Sequence, residues 1–312
     1  MMNALLDREL LVVTGKGGVG RTTMSAALGV LSGRSGRSTL IVEVGEQSRL
    51  PGLFGVPAPA IGTATSLAAH LECVTIDPDA ALLRWLQRVG GRAAGRLLAS
   101  SSTFQYFAAA APGARELITM VAIWEFTSGS GNRGAREVVI VDAPASGHAL
   151  GMLGSPSTFG SIARVGPIAS HSREVQQLVQ DPSRSGLVAV AIATEMAVTE
   201  TLELDRALFS SLGRGLDRVI VNQLLPKRFT NEELERAELA ANGAKRSPAA
   251  AGAVAAVRDL ETRARAQHAH VSRLRRDGQE AATVPFLWEE SLEEAAIDRI
   301  ADPLARQRPP FS

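Results

Sequence analysis

The 312-residue chain contains one cysteine, Cys73. No intrachain disulfide can form, and neither can a Cys-x-x-Cys metal site. This fits a reducing compartment, so a cytoplasmic location is expected. Charge of either sign is also lacking in excess. The formal net charge is +1, which sets up no global field for nucleic acid or a membrane surface. No apolar run is long enough to cross a bilayer. The most apolar window, 104–126, is broken by Pro112-Gly113 and by Arg115-Glu116, which argues against an integral membrane protein. The chain starts without a charged segment leading into an apolar core and reaches its first strand within about ten residues, so no secretory leader is expected. Lysine is the scarcest of the common charges. Among 33 basic residues only Lys16, Lys227 and Lys245 are lysine, and arginine serves elsewhere.

Against these absences stands an ordinary globular composition, 45% hydrophobic and 21% charged, enough to bury a sizeable core. One stretch organises it. The apolar run Leu10-Leu11-Val12-Val13 leads into Gly15-Lys16-Gly17-Gly18-Val19-Gly20-Arg21-Thr22-Thr23, and Met24-Ser25-Ala26-Ala27-Leu28 follows. A glycine-rich loop between strand and helix is a phosphate cradle: backbone N–H groups converge on anionic oxygens, and the positive helix end adds to the attraction. The template G-x-x-x-x-G-K-[ST] is met at Gly15, Gly20 and Thr22, with Arg21 in the lysine position. Thr22 supplies a hydroxyl suited to Mg²⁺, and a nucleotide phosphate with Mg²⁺ is the ligand this pattern implies.

Further along, Ser38–Val44, Leu71–Ile76, Val138–Asp142, Leu187–Thr194, Leu216–Asn222 and Thr283–Phe286 read as strands, with helical stretches between them. Asp77-Pro78 offers a cap and first-turn proline for a helix over Ala80–Val89. This alternation predicts an α/β fold with a doubly wound, mostly parallel sheet flanked by helices. The expected organisation is a single domain over 1–312. Helical lobe segments are expected at about 79–129 and 157–182, and a C-terminal helical region at about 249–281. The arginines of the last region read as a solvated or interface face, and no nucleic-acid partner is expected. His268 and His270, two apart, face different sides of a helix and make a poor metal pair. His70 and His171 read as incidental, and His148 as either a switch residue or a helix-start packing residue.

Lys16, one residue after the first glycine, makes the loop resemble the deviant P-loop of dimeric ATPases that include MinD, ParA, the nitrogenase iron protein and ArsA. In that group the early lysine reaches the partner's nucleotide, which implies a homodimer, or a heterodimer with a paralogous ATPase. Asp142-Ala143-Pro144-Ala145-Ser146-Gly147-His148-Ala149-Leu150 resembles the D-x-A-P-x-G-H-x-L switch of the ArsA and Get-pathway ATPases, one residue short of the commonest spacing. Val221-Asn222-Gln223-Leu224-Leu225 is similar to their V-N-Q-L-L segment, in which the asparagine reads adenine. Val284-Pro285-Phe286-Leu287 is similar to their V-P-L segment near the base. Thr194-Glu195 and Glu200-Thr201 fall where that family has P-E and E-T. Leu40–Pro57 and Ala111–Leu117 further resemble a bacterial branch of anion-transporting ATPases.

The resemblance implies a P-loop NTPase whose nucleotide is ATP, with Lys16, Arg21 and Asp142 in catalytic positions. It puts nucleotide contacts at Gly15, Gly17–Thr23, Asn222, Pro285 and Phe286, and Mg²⁺ at Thr22 and, through water, at Asp142. It further implies a dimeric switch whose ATP hydrolysis serves a hydrophobic, membrane-protein client. Two departures bear on this. The family's D-P-A-H aspartate is replaced by Gly45, with Glu43 and Glu46 as the neighbouring carboxylates. Loss of one group acting on the transition state typically costs about a hundred- to a thousand-fold in rate, so slow hydrolysis is expected. Cys73 alone cannot make a thiolate site for arsenite. Leu117–Trp124 with Phe104, Tyr106 and Phe107 reads either as a groove for an apolar helix or as plain core. The alternatives are a non-hydrolysing subunit beside a paralogue and a MinD- or ParA-like spatial organiser.

Overall fold

In the computed structural model, strand β1 (Leu10–Gly15) is buried along its whole length. Its side chains alternate, Leu10 and Val12 into one apolar cluster and Leu11 and Val13 into another. A strand apolar on both faces must be covered on both, and that is the condition of a parallel sheet with helices on each side. The structure describes residues 2–85, 87–88, 113–129, 135–162, 167–241, 248–289 and 293–306.

The sheet has eight strands in the order β3-β4-β2-β5-β1-β6-β7-β8. They are β2 (Thr39–Val44), β3 (Thr65–Ala68), β4 (Leu71–Ile76), β5 (Val138–Ala145), β6 (Ser185–Ile192), β7 (Arg218–Leu224) and β8 (Ala281–Pro285). Only β3 runs antiparallel. Strand β1 is central, in parallel register with β5 on one side and β6 on the other. The loop after β1 therefore opens at the carboxyl edge where the strand order reverses, the usual ligand position in such sheets.

Ten helices are labelled here: α1 (Met2–Leu6), α2 (Arg21–Arg34), α3 (Leu50–Leu53), α4 (Ala114–Ser128), α5 (Ser146–Ile162), α6 (Pro167–Gln180), α7 (Glu195–Leu212), α8 (Asn231–Ala241), α9 (Pro248–Arg276) and α10 (Glu294–Arg306). A further helical segment covers 78–85. Helices α1, α2, α3 and α10 cover one face of the sheet. The opposite face is covered by α4 to α7, part of α9 and residues 81–85.

The α/β reading is matched, with instructive differences. Strand β5 continues past Asp142 to Ala145 because Gly15 pairs with Ala145 across a register shift. Helix α5 starts at once at Ser146, earlier than the helical stretch expected from 157. Strand β3 and helix α3 carry no sequence pattern strong enough to announce them. Leu117, Ile118, Met120, Val121, Ala122 and Ile123, half of the expected client groove, are buried in this chain's own core. That segment is therefore core packing. Phe104, Tyr106 and Phe107 lie outside the described residues. Helix α9 buries only Glu261, Ala264, Val271 and Leu274, which leaves its arginines on a solvated face. Among the described residues no helix is long and apolar enough to cross a membrane.

Candidate functional site

The cradle is built as β1, a loop over 16–20, and α2. Gly20 sits at the helix N-cap with φ 92°. A Cβ there would collide with the Asn222 side-chain amide, so only glycine satisfies both the left-handed backbone and the close approach. Gly17 and Gly18 are exposed with open space around them, while Val19 is buried and anchors the loop.

Three bonds tie the strand and helix that flank this loop to the end of β5. The Thr22 hydroxyl donates to Asp142 Oδ2 at 2.7 Å. The Thr14 hydroxyl donates to the Pro144 carbonyl at 3.1 Å. The Arg21 guanidinium donates to the Ala143 carbonyl. Ser25 also approaches Asp142 Oδ1 at 3.5 Å. Burial pushes the Asp142 carboxyl above the ordinary carboxylate range and Glu43 adds to the rise, against the pull of Thr22, Arg21 and Ser25. A half-buried carboxylate beside a threonine hydroxyl fits a Mg²⁺ site, because a cation would relieve the desolvated charge. Burial pushes the Arg21 pKa down; attraction to Asp142 opposes that shift and repulsion from Arg49 reinforces it.

A cavity of about 440 Å³ opens in front of these groups, lined by Arg21, Thr22, Asp142 and the loop 43–49. Glu43 is 4% exposed. Its carboxylate accepts from Ser48 Oγ at 2.8 Å, Arg49 N at 2.7 Å, Leu50 N at 3.0 Å and Thr75 Oγ1 at 3.3 Å. Glu43 is thus withdrawn from the role of a substitute catalytic carboxylate, since three of these bonds hold the loop and the fourth ties it to Thr75 on β4. Glu46 remains exposed on the cavity wall. Gly45 has φ 153°, a backbone state that disfavours any L side chain. The absence of aspartate there is built into the turn. Sequence reading found the glycine and missed its cause; it also missed Arg49, because a lone arginine in a polar loop carries no motif.

The remaining expected residues are placed as follows. Lys16 Nζ lies 2.6 Å from Glu200 Oε1 and 2.9 Å from Met196 Sδ, both on α7. Asn222 is buried and donates to the Val19 carbonyl at 2.9 Å, while its Oδ1 accepts from Gln223 N at 2.9 Å. Its amide braces the cradle from behind. Phe286 N bonds the Leu224 carbonyl at 3.0 Å, and the Phe286 ring meets Trp288 edge-on at 4.8 Å. Pro285 is exposed beside them. His148 is exposed on a second cavity of about 310 Å³ next to Gly45 and Pro144. His171 instead accepts from Trp85 Nε1 at 3.3 Å, a packing role. Cys73 is buried, and burial with Glu43 and Glu72 nearby pushes its thiol up to about 12, so it stays protonated and inert. No metal-holding cluster of histidine, cysteine and carboxylates occurs among the described residues.

The chain is similar in sequence to several known ATPases. ATPase BagA of Mycobacterium tuberculosis is 28% identical over 237 residues, covering 73% of this chain and 69% of that protein. ATPase GET3 of Mycosarcoma maydis is 25% identical over 264 residues, covering 73% and 77% respectively. The arsenical pump-driving ATPase of Escherichia coli is 26% identical over 241 residues, covering 70% of this chain but 40% of its own length. The family described as anion-transporting ATPase matches residues 8–166, about half of the chain. That span carries the cradle, the loop after β2 and the Asp142 strand, and it makes the chain a member of the anion-transporting ATPase family, the ArsA and Get type.

Proposed function

We propose that this chain is an ATP-binding nucleotide switch that works across a two-fold interface and hydrolyses ATP slowly by itself. The observation that carries the reading is the triple tie between the cradle and the end of β5. Thr22, Thr14 and Arg21 each bond a different residue of Asp142–Pro144. A ligand that takes the attention of Arg21 or Thr22 necessarily loosens these ties, and α5 follows immediately at Ser146. Phosphate occupancy is thereby transmitted to a helix, which is what a nucleotide switch requires.

Gly15 to Thr23 hold the phosphates through backbone N–H groups, and Thr22 and Asp142 hold Mg²⁺. The cation supplies neutralisation of phosphate charge. Arg21 offers a planar fork where the family template has a compact ammonium. Its present partner is only a carbonyl, so it can turn to phosphate without breaking an ion pair. Lys16 is held by Glu200 in the same chain, with side-chain exposures of 39% and 37%. An exposed pair of this kind is worth about 0–1 kcal/mol, too little to prevent Lys16 from turning to a partner's nucleotide. Phe286 and Trp288 offer an aromatic corner at the strand edge beside β7 for the base. Any apolar-helix client binds elsewhere than the described part of α4, whose apolar residues are already covered. Slow turnover follows from Gly45, where no carboxylate is present to orient the attacking water, and from the commitment of Glu43 to its loop.

The same observations favour one second reading, a non-hydrolysing subunit paired with a paralogous ATPase. Nucleotide binding, turnover and solution mass of the full chain decide between them. A switch binds ATP with Mg²⁺, turns it over slowly and doubles its mass with ATP but not ADP. A single-chain mass under every condition, with no turnover by wild type or Arg21→Lys, favours the subunit. Failure to bind either nucleotide rejects both readings.

A further inference from the structure

The loop after β2 has a design that the nucleotide-switch reading does not by itself require. An acid near the end of β2, Glu43, lies beneath it, and one of its outward residues, Arg49, is a base. Glu43 fixes the backbone of Arg49 and Leu50 through one oxygen, at 2.7 and 3.0 Å, and Ser48 through the other. The base of the Arg49 side chain is therefore held firmly. Its guanidinium, in contrast, is exposed and forms no ion pair or hydrogen bond among the described residues. The other arginines near the site are engaged: Arg21 with Ala143 and Arg115 with Asp79.

Arg49 lines the same cavity as Arg21, Thr22 and Asp142. It lies close enough to Arg21 for their repulsion to be felt there. Two guanidiniums thus line one cavity with three carboxylates, of which Glu43 is buried and taken up by Ser48, Thr75 and the Arg49 and Leu50 backbone, Asp142 is half-buried and held by Thr22, and Glu46 is exposed. An anion entering between the arginines relieves that repulsion. The cavity is bounded on one side by the first residues of α2 and on the other by residues 43–49. A phosphate chain running from the cradle into this cavity would bring its terminal group towards the far wall.

We propose that Arg49 distinguishes a nucleoside triphosphate from a diphosphate, its guanidinium taking the terminal phosphate from the wall opposite the cradle. The assignment rests on the ATP-binding reading above. A pre-positioned arginine is well suited to the task, because its planar fork binds phosphate oxygens in a bidentate manner and the loop has already been ordered by Glu43. Arg49 also links nucleotide state to the loop itself: engagement of its guanidinium holds residues 45–49 against the cleft, and departure of the terminal phosphate releases them.

The test is equilibrium binding of a non-hydrolysable ATP analogue and of ADP, each with Mg²⁺, to full-length wild type, Arg49→Ala and Arg49→Lys. Arg49→Ala is expected to weaken the analogue about 10- to 100-fold, the span of one charge-assisted hydrogen-bonded contact, and to leave ADP within about twofold. Arg49→Lys is expected to recover part of the loss. The melting temperature should not move, since the guanidinium supports nothing in the fold. Equal weakening of both nucleotides, or of neither, with wild type binding both, overturns the assignment. A marked drop in melting temperature for Arg49→Ala overturns it as well, by showing a structural role. If wild type binds neither nucleotide, the ATP-binding reading has failed and the assignment falls with it, an outcome visible without any substitution.

Discussion

The two loops that face each other across the cleft are built on opposite principles. The cradle of residues 15–23 works through its backbone: glycines clear space, and N–H groups and the α2 terminus supply the charge. The loop of residues 45–49 works through side chains: a buried acid, Glu43, gathers the backbone inward and Arg49 is left facing out. Backbone recognition needs glycines at fixed spacing and so leaves a motif. Side-chain recognition needs only that two residues far apart in chemistry lie near each other in the fold, and it leaves none. The contrast explains why one wall of the site is easily read from the chain and the other is not.

The comparison can be broken from the cradle side first, where the largest effect is expected. Asp142→Asn removes the carboxylate that Thr22 and Ser25 bond, and Mg²⁺-dependent turnover should fall by about a hundredfold or more, measured by phosphate release. Stability should respond in the other direction. The folded-state pKa of Asp142 is raised, so its ionised form works against folding at neutral pH and this cost is lifted as pH falls through that raised pKa. Asp142→Asn should therefore leave the ligand-free melting temperature at pH 7 unchanged or higher. The advantage over wild type should fade towards acid pH. A lower melting temperature at pH 7 would show that the carboxylate stabilises the fold.

On the loop side, Glu43→Gln replaces an acceptor of several bonds by a group that can accept on only one side. Breaking a buried, charge-assisted set of this kind costs about 2–3 kcal/mol, read by denaturant unfolding. If side chains hold this wall as argued, the same variant also loses the preference for triphosphate, because Arg49 is no longer anchored. Retained preference with reduced stability would separate the two roles.

The smallest effect is expected at the point where the loops differ from the family pattern. Gly45→Asp restores a carboxylate at the end of β2, and open space surrounds that position. The backbone conformation, however, belongs to glycine. The substitution should cost about 1 kcal/mol in stability and should not raise turnover, since a strained turn does not aim its side chain. A gain in turnover would show that chemistry, not geometry, was missing.

Most of the sheet was legible from the chain. The apolar runs at 10–13 and 138–141 are buried strands because nothing polar interrupts them, whereas 39–44 and 71–76 keep the pattern around Glu43 and Glu72, whose charges are met by the Arg49 and Leu50 backbone and by Arg136. The cradle was legible for the reason given above, and the family followed from the cradle and the Asp142 segment together. The short β3, with Thr, Ser and Ala at a sheet edge, was not legible, because such residues pack as readily in a loop. The continuation of β5 to Ala145 escaped as well, because it depends on pairing with Gly15, a partner 130 residues away in sequence.

The sequence alone determined that this chain has a glycine-rich loop between strand and helix, two-sided parallel strands, a carboxylate at the end of the 138–142 run, and a single cysteine that cannot make a thiolate site. These follow from residue type and spacing, quantities that a linear chain already contains. Only the tertiary structure decided that Glu43 holds the loop after β2, that Asn222 braces the cradle from behind, that Leu117–Ile123 is core, and that the Arg49 guanidinium has no partner among the described residues. Each of those depends on which distant groups come within hydrogen-bonding or packing distance, and that is settled by the sheet order, not by any local pattern.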